Sequence, residues 1–252
     1  MFEYLWLLPL GFVAGVIGSM IGLGGGFIVV PLLTFFGYSP TLAASNSLFA
    51  AFSNSIASTT SYAKQKRIVY SIGLKLALIS IPGTILGAYI SDEVSPPLFK
   101  MLFGIVLVVS GIYIYLRRKM ESKEYDLSKQ IMILVVAASF FAGIISSLFG
   151  IGGGVVFVPL MVIAIGLSMK LAAPTSQFIL MFASASGMIM HSILGHPNYY
   201  EAGMLSIGSF IGGMVGSKLS TRVNEQKLRI FVTIVIGATA VKLIIDALVH
   251  PS

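Results

Sequence analysis

The sequence predicts an all-α integral membrane protein made of two inverted-topology repeats, each a glycine-broken helical hairpin followed by three transmembrane helices. Three observations lead to this fold class. The 252 residues are 56% hydrophobic and only 10% charged, with a mean hydropathy of +0.96, far from the composition of soluble domains. An eleven-residue stretch occurs twice, and basic loops alternate with loops that lack lysine and arginine.

The repeated stretch reads GLGGGFIVVPL at residues 22–32 and GIGGGVVFVPL at residues 150–160, with seven of eleven positions identical. Upstream, Gly15 and Gly143 share the same offset of 128 residues. A constant offset of this kind indicates an internal duplication. It divides the chain into a first transmembrane repeat at 1–117, a linker at 118–129 and a second transmembrane repeat at 130–252.

Each repeat begins with an apolar segment that glycines interrupt. In the first repeat the arm after the glycines, about residues 27–37, rises only ~16 Å as a helix, about half the hydrocarbon thickness. We therefore expect a hairpin that turns near mid-membrane and leaves on the face it entered. Two full crossings per hairpin are the alternative, because a short arm can tilt. Pro31 and Pro159 disfavour helix at the preceding residue and could mark the first turn of each second arm.

Seven segments are long and apolar enough to cross a bilayer as helices. They are residues 41–62, 70–91, 97–117, 130–148, 169–192, 201–220 and 228–249. The lipid bilayer is therefore the expected surrounding. The N-terminus carries Glu3 and no basic residue before its apolar run, so we do not expect a cleaved signal peptide.

The charges of the loops predict the topology. Basic residues cluster in three loops, which should face the cytoplasm: Lys64, Lys66 and Arg67; Arg117, Arg118, Lys119, Lys123 and Lys129; Lys218, Arg222, Lys227 and Arg229. The loops with Asp92 and Glu93 and with Glu201 lack basic residues and should face outside. Both termini are then outside and the central linker is cytoplasmic. Matching loops of the two repeats fall on opposite sides, as in an inverted repeat.

The glycines predict a shared site for an anion. A helix break at membrane depth is tolerated only where protein or a water-filled cavity surrounds it. Glycine allows a ligand to approach the main chain, and the helix N-terminus that follows attracts negative charge. The alternative is that the glycines only permit close helix packing, as we expect for GGMVG at 212–216.

Polar residues on the helix after each hairpin extend the candidate site. Residues 41–62 hold eleven Ser, Thr or Asn and no charge, and with one inserted residue ASNS at 44–47 aligns with APTS at 173–176. Hydroxyls and amides can donate to an anion. The candidate substrate-binding residues are Gly24, Gly25, Gly26, Asn46, Ser47, Asn54, Gly152, Gly153, Gly154, Thr175, Ser176 and Gln177.

Other classes of function find little support in the sequence. Without cysteine, and without a cluster of His and acidic residues, no metal site or cofactor is expected. The basic residues lie in short loops, so nucleic-acid binding is not expected. Ser184, Ser186 and His191 loosely resemble a serine protease site but lack the glycine that should precede the serine. His191 is interpreted as a wetted or capping residue. No acid lies mid-helix, so no buried carboxylate relay is expected.

The doubled glycine hairpin with its proline, the ASNS and APTS continuations and the basic linker resemble the sulfite exporter TauE/SafE family, also called the toluene sulfonate uptake permease group. The resemblance covers nearly the whole chain. It places the family signature on Gly22, Gly24, Gly25, Gly26 and Pro31 and on Gly150, Gly152, Gly153, Gly154 and Pro159. The second copy departs from the first with Pro174 in place of Ser45.

The resemblance implies a secondary transporter, not an enzyme, that moves a small sulfur-containing anion such as sulfite or a sulfonate through the plasma membrane of a bacterium or archaeon. The expected mechanism is alternating access by rocking of one repeat against the other. An anion channel of the same architecture is the alternative. The sequence leaves open the substrate, the direction of transport, the coupling ion and whether two copies form a homodimer.

Overall fold

The computed structural model describes residues 4–116, 129–222 and 225–249, and these residues form ten α-helices and no β-strand. The helices are α1 Leu7–Ile21, α2 Gly26–Phe35, α3 Pro40–Lys64, α4 Tyr70–Ile90, α5 Pro96–Leu116, α6 Lys129–Leu148, α7 Gly154–Leu160, α8 Met169–Ile193, α9 Tyr199–Leu219 and α10 Glu225–Val249. A π-helical segment, Met161–Ile165, continues α7. The predicted linker, 118–129, lies outside the described residues except for Lys129.

The helix ends agree with the sequence prediction to within three residues for all seven predicted segments. The start of the second hairpin arms differs from the prediction. α2 begins at Gly26 and α7 at Gly154, so Pro31 and Pro159 lie inside these helices and not in their first turns. The left-handed caps at Gly25 and Gly153 start each helix upstream of the proline, which then removes one intrahelical hydrogen bond.

The first hairpin folds back on itself. The rings of Trp6, just before α1, and Phe36, just after α2, have centroids 4.9 Å apart. α1 therefore begins beside the residue at which α2 ends, and the loop Gly22–Gly25 forms the tip of the hairpin. With 15 and 10 residues, the two arms are about 22 and 15 Å long, shorter than the roughly 30 Å of bilayer hydrocarbon.

Polar side chains lie inside the helix bundle and apolar side chains cover much of its outside. α3 buries Asn46, Ser47, Asn54 and Ser58 completely, whereas α4 exposes large apolar residues such as Leu78, 55% exposed. Among the described residues, α4 and α8 are both long enough and apolar enough to cross a membrane by composition. The serine-rich α3 is too polar for lipid, and the bundle encloses it.

The packing of the helices brings together elements that are distant in sequence. α1 packs on α9, α4 on α6 and α5 on α10, while α3 lies against both α8 and α9. α3 and α8 run antiparallel. Leu48, near the start of α3, lies against Gly187, near the end of α8, and Thr175, near the start of α8, bonds to Val69 beyond the end of α3.

The connections between helices gather at two ends of the bundle. At the basic end, Arg67 after α3 donates from Nε to Lys170 O and from Nη1 to Ser220 Oγ, both at 3.0 Å. At the acidic end, His196 after α8 contacts Asp92 after α4 at 3.0 Å. Among the described residues, Arg67 and its partners thus lie at the end of α3 opposite to the end where Asn46 contacts the α8–α9 connection.

Candidate functional site

The two glycine loops, Gly22–Gly25 and Gly150–Gly153, meet inside the bundle. A Cβ built on Gly24 would lie 3.5 Å from Ile151 O in the other loop. Gly26 faces Gly150 O, and Gly154 faces Gly22 O, each so closely that a Cβ would overlap the carbonyl. The predicted glycines of both repeats are therefore brought together, and the two hairpin tips touch main chain to main chain.

Positive φ angles account for the glycines in these loops. Three glycines in each loop adopt φ between +66° and +85°, namely Gly22, Gly24, Gly25, Gly150, Gly152 and Gly153. This left-handed backbone favours glycine because other residues clash there. Gly25 and Gly153 use it to cap α2 and α7 at their N-termini.

Ser47 and Ser176 tie each repeat to the tip of the other. The Ser47 hydroxyl donates to Gly150 O at 2.7 Å, and the Ser176 hydroxyl donates to Gly22 O at 2.7 Å. Both serines are fully buried. They hold equivalent positions in the ASNS and APTS alignment, so the two bonds are reciprocal. Each predicted serine lies where the tips meet, and its hydroxyl already donates a hydrogen bond to a carbonyl oxygen.

Helix N-terminal amides lie at this meeting point. At the start of α2, the amides of Ile28 and Val29 both donate to Gly25 O. In α7 the corresponding amides are those of Val156 and Phe157, which donate to Gly153 O. Gly26 and Gly154 are the first residues of α2 and α7. At this end of an α-helix the amides lack intrahelical acceptors, and the helix dipole has its positive end.

Asn46 and Thr175 hold helix connections instead of the tips. Asn46 Nδ2 donates to Glu201 Oε2 at 2.7 Å, and Asn46 Oδ1 accepts from Asn198 N at 3.0 Å. Thr175 Oγ1 accepts from Val69 N at 3.0 Å. The hydrogen bonds of these two candidate residues go to the acidic and basic ends, respectively, so both side chains anchor loops.

Asn54 and Gln177 are buried with unused hydrogen-bonding capacity. Asn54 Oδ1 accepts from Ser58 at 3.3 Å, while its Nδ2 has no partner in the described part of the chain. Gln177 Nε2 donates to Gly18 O at 2.9 Å, and its Oε1 has no partner there. Gly18 packs directly on Gly25, so Gln177 reaches the base of the first tip. An unsatisfied buried donor such as Asn54 Nδ2 is available to a ligand.

Two further polar residues near the second tip were missed in the sequence. Ser146 and Ser147 are fully buried, and neither Oγ has a partner in the described residues. The Ser146 Cβ lies 3.1 Å from the position of a Cβ on Gly153, which places Ser146 beside the cap of α7. The sequence signal for these residues is the pair of serines just before the second glycine motif. The first repeat has Gly18 and Ser19 at the equivalent positions.

Two residues at the acidic end are more deeply buried than their positions near helix ends suggest. Glu201 is only 4% exposed, although it lies in the first turn of α9, because α3 covers it through Asn46. The interpretation of His191 as wetted is wrong, because the α8–α9 loop folds over this residue and it is fully buried. Position near a helix end does not ensure exposure when a neighbouring loop closes over that end.

Tyr38, in the α2–α3 connection, lies beside Glu201. Burial, with a smaller contribution from the Glu201 carboxylate, raises the pKa of the Tyr38 hydroxyl, which therefore stays protonated and can donate to Glu201. In the described residues no group of His, Asp and Glu has the arrangement of a metal site.

Comparisons with known proteins agree with this architecture. The family model described as sulfite exporter TauE/SafE matches residues 7–243. The chain is 30% identical to the probable membrane transporter protein YunE of Bacillus subtilis, over 98% of this chain and 99% of the relative. It is 31% identical to a probable membrane transporter protein of Methanocaldococcus jannaschii, over 94% and 95%. It is 22% identical to the probable membrane transporter protein YfcA of Escherichia coli, over 93% and 87%.

Proposed function

Because the chain belongs to the sulfite exporter TauE/SafE family of membrane transporters, we propose that it is a secondary transporter of a small sulfur-containing anion, such as sulfite or a sulfonate. It works by alternating access in the plasma (inner) membrane, with both termini outside and the central linker in the cytoplasm. The observation that carries this proposal is the contact of the two glycine tips, each tied by a serine of the opposite repeat.

The proposed repeats are inverted, and the antiparallel packing of α3 and α8 supports this arrangement. These two helices hold equivalent positions in the repeats. A two-fold axis parallel to a helix relates it to a parallel copy, whereas an axis perpendicular to the helix relates it to an antiparallel copy. The packing of Leu48 on Gly187 and of Val69 on Thr175 favours the second case. The axis then lies in the membrane plane, as in transporters built from inverted repeats.

The proposed anion site lies where the two tips meet. The N-termini of α2 and α7 bring positive dipole ends and amide donors from both repeats to one place. Asn54 Nδ2 and the hydroxyls of Ser146 and Ser147 add buried donors that have no partner among the described residues. An anion bound there would gain hydrogen bonds that the protein lacks in its absence. No formal positive charge is needed, which suits release as well as binding.

The tips also suggest how access alternates. In the described conformation Gly26 and Gly154 press on carbonyls of the opposite tip, so an anion can enter only when the tips separate. Rocking of one repeat against the other would part them toward one side of the membrane at a time. Direct closure of this kind favours a carrier over a channel of the same architecture, in which the path would stay open from both sides.

Flux measurements in proteoliposomes test the proposal. Purified protein is assayed for uptake of radiolabelled sulfite, sulfate, thiosulfate and sulfoacetate, and liposomes without protein serve as the control. We expect uptake of at least one anion, accelerated by the same unlabelled anion inside, because a carrier returns faster when loaded. Uptake that internal anion does not accelerate would indicate a channel. The absence of protein-dependent flux for the whole panel would contradict the proposed function.

A further inference from the structure

A chain of three titratable side chains runs inward from the acidic end. Asp92, 49% exposed, contacts His196 Nε2 with both carboxylate oxygens, at 3.0 and 3.1 Å. His196 Nδ1 lies 2.7 Å from Nδ1 of the fully buried His191. His191 Nε2 in turn lies 3.2 Å from Ser147 O, at the end of α6. Three separate segments of the chain contribute to this line of contacts.

The number of protons that these contacts need exceeds the number that two neutral imidazoles carry. Ser147 O only accepts, so His191 Nε2 must hold a proton. His191 Nδ1 is then an acceptor, and His196 Nδ1 must hold the second proton. A neutral His196 would have a bare Nε2 facing the carboxylate of Asp92, with two acceptors in contact and no proton between them. Three protons are required, and a neutral imidazole supplies one.

We propose that Asp92, His196 and His191 form a proton-binding site, and that its third proton resides on His196 as an imidazolium paired with Asp92. Asp92 is half exposed and contributes the carboxylate that faces His196 Nε2. His191 stays neutral because a fully buried charge without a counterion is costly. The His196 side chain is 10% exposed, between the fully buried His191 and the half-exposed Asp92. It has a carboxylate acceptor on one side and an imidazole acceptor on the other.

The equivalent place in the first repeat holds a permanent cation. With the one inserted residue of the ASNS and APTS alignment, the offset between the repeats is 129 residues here. Tyr62 is then at the position equivalent to His191, and Arg67 at the position equivalent to His196. The Tyr62 hydroxyl donates to Ser19 O at 2.8 Å, as His191 does to Ser147 O. The Arg67 guanidinium carbon lies 5.3 Å from the centre of the Tyr62 ring. Arginine does not lose its proton in proteins, so the titratable form of this arrangement exists at the acidic end alone.

The proton site is connected to the glycine tips in two ways. Ser147 O also accepts from Gly150 N at 3.3 Å, so His191 shares its acceptor with the second glycine loop. The loop that carries His196 also carries Asn198, whose amide donates to Asn46, the neighbour of Ser47. Loss of the proton would leave Asp92 repelling His196 and would loosen this loop. It would also leave a net negative charge near a site for an anion.

Proton and anion should therefore bind together, with each raising the affinity of the protein for the other. This coupling depends on the proposed function, whereas the proton site itself does not. The groups that act electrostatically on His191 are His196 and Asp92. Further titratable groups of the acidic end are Glu93 from the α4–α5 connection, Glu201, Tyr199 and Tyr200 from α9, and Tyr38 from the α2–α3 connection with Tyr4 near it. The pH dependence has to be assigned among these groups by substitution.

Two variants distinguish the proposed proton site from the neighbouring acidic groups. In Asp92→Asn the amide NH2 can donate to a bare His196 Nε2, so every contact is satisfied by two neutral imidazoles and the third proton becomes unnecessary. Glu93→Gln removes the adjacent exposed acid and is the matched control. The sequence has three histidines, so imidazole nitrogens labelled with 15N can be followed individually by NMR from pH 5 to 9 in both variants and the wild type.

In the wild type and in Glu93→Gln, we expect one histidine of the pair His191 and His196 to have both ring nitrogens protonated, and this signal should disappear in His196→Gln. In Asp92→Asn this residue should be neutral at the same pH, with its fold retained. Two neutral histidines at positions 191 and 196 in the wild type throughout this range would overturn the proton site, whatever the protein transports.

Anion binding is measured in parallel by thermal stabilisation with sulfate and with thiosulfate, whose charges do not change between pH 5 and 9. As the pH rises, we expect the anion affinity of the wild type to fall by up to tenfold for each pH unit, which is the limit for one linked proton. The affinity of Asp92→Asn should be nearly independent of pH. Equal pH profiles in wild type and Asp92→Asn would overturn the coupling. If neither these anions nor the flux panel gives a response while the histidine still titrates, the proposed function fails and the proton site stands.

Discussion

Gly25 shows how one residue can serve both the fold and the site. Its φ of +85° disfavours a side chain, and a Cβ there would lie 2.8 Å from Ala14 O in the same hairpin. A valine at this position would therefore open the hairpin before it could obstruct a ligand. Loss of transport in such a variant would not separate packing from binding, so a polar side chain near the tip is the better test of the proposed anion site.

Ser146 provides that test, because its hydroxyl makes no hydrogen bond within the part of the chain that the structure describes. We expect Ser146→Ala to keep the wild-type melting temperature without anion and to bind anion several-fold more weakly, a loss of about 1 kcal/mol for one hydrogen bond. The measurement is the melting temperature of the purified protein against the concentration of sulfite and thiosulfate.

Ser139→Ala is the matched control on the same helix. The Ser139 hydroxyl is also buried but donates to Val135 O at 2.7 Å. We expect this variant to bind anion as the wild type does, with any change confined to stability in the absence of anion. If Ser146→Ala showed the wild-type anion response, Ser146 would have no part in binding.

At the scale of the elements, small residues determine how closely α1 and α9 approach. Gly208, Gly212 and Gly216 recur every fourth residue on α9, and a Cβ on any of them would overlap the main chain of α1. The expectation that GGMVG serves close packing is correct for this interface. Without a hydrophobic force between helices in lipid, such close contact is a main source of association, and it fixes the position of the first hairpin.

We expect Gly212→Leu to disrupt this interface, with a loss of about 3 kcal/mol or more because the helices must move apart. Gly203→Leu on the same helix is the control, since no atom of the neighbouring described residues lies within 4 Å of a Cβ at that position. Both changes favour helix formation to the same extent, so their difference reports on packing. The measurement is the melting temperature and the monodisperse fraction in detergent, and equal stability of the two variants would argue against this role.

At the scale of the whole molecule, the bundle has two chemically different ends. Arg67 ties the α3–α4 connection to the first turn of α8 and to the α9–α10 connection at one end. His196 and Asp92 join the α4–α5 and α8–α9 connections at the other end. Positive charge favours the cytoplasmic side of a membrane, so we expect the Arg67 end to face the cytoplasm and the Asp92 end to face outside.

Single cysteines test this orientation, because the sequence contains none. In intact cells we expect an impermeant maleimide to label Val94→Cys and Pro197→Cys and to leave Ser122→Cys unlabelled. Position 122 lies in the linker, outside the described residues. Each variant is labelled again after membrane permeabilisation to control for accessibility. Labelling of position 122 alone in intact cells would reverse the predicted topology.

The sequence by itself determined the helical class of this protein and the positions of its helices. Apolar segments of about twenty residues have few solutions other than helices in lipid, and two glycine motifs at a constant offset located both hairpin tips. These properties are local, since they depend on composition and on backbone conformations that neighbouring residues impose. The family membership also followed from such motifs, because they recur in fixed order along nearly the whole chain.

Only the tertiary structure decided which polar groups are free and which are engaged. Ser47 and Ser176 were predicted as ligands, but each donates to a carbonyl more than one hundred residues away. Ser146, in contrast, has no partner among the described residues. His196 gained its role from contacts with two other segments. Hydrogen bonds between distant segments depend on how helices pack in three dimensions, and a single sequence carries no periodicity that reports them.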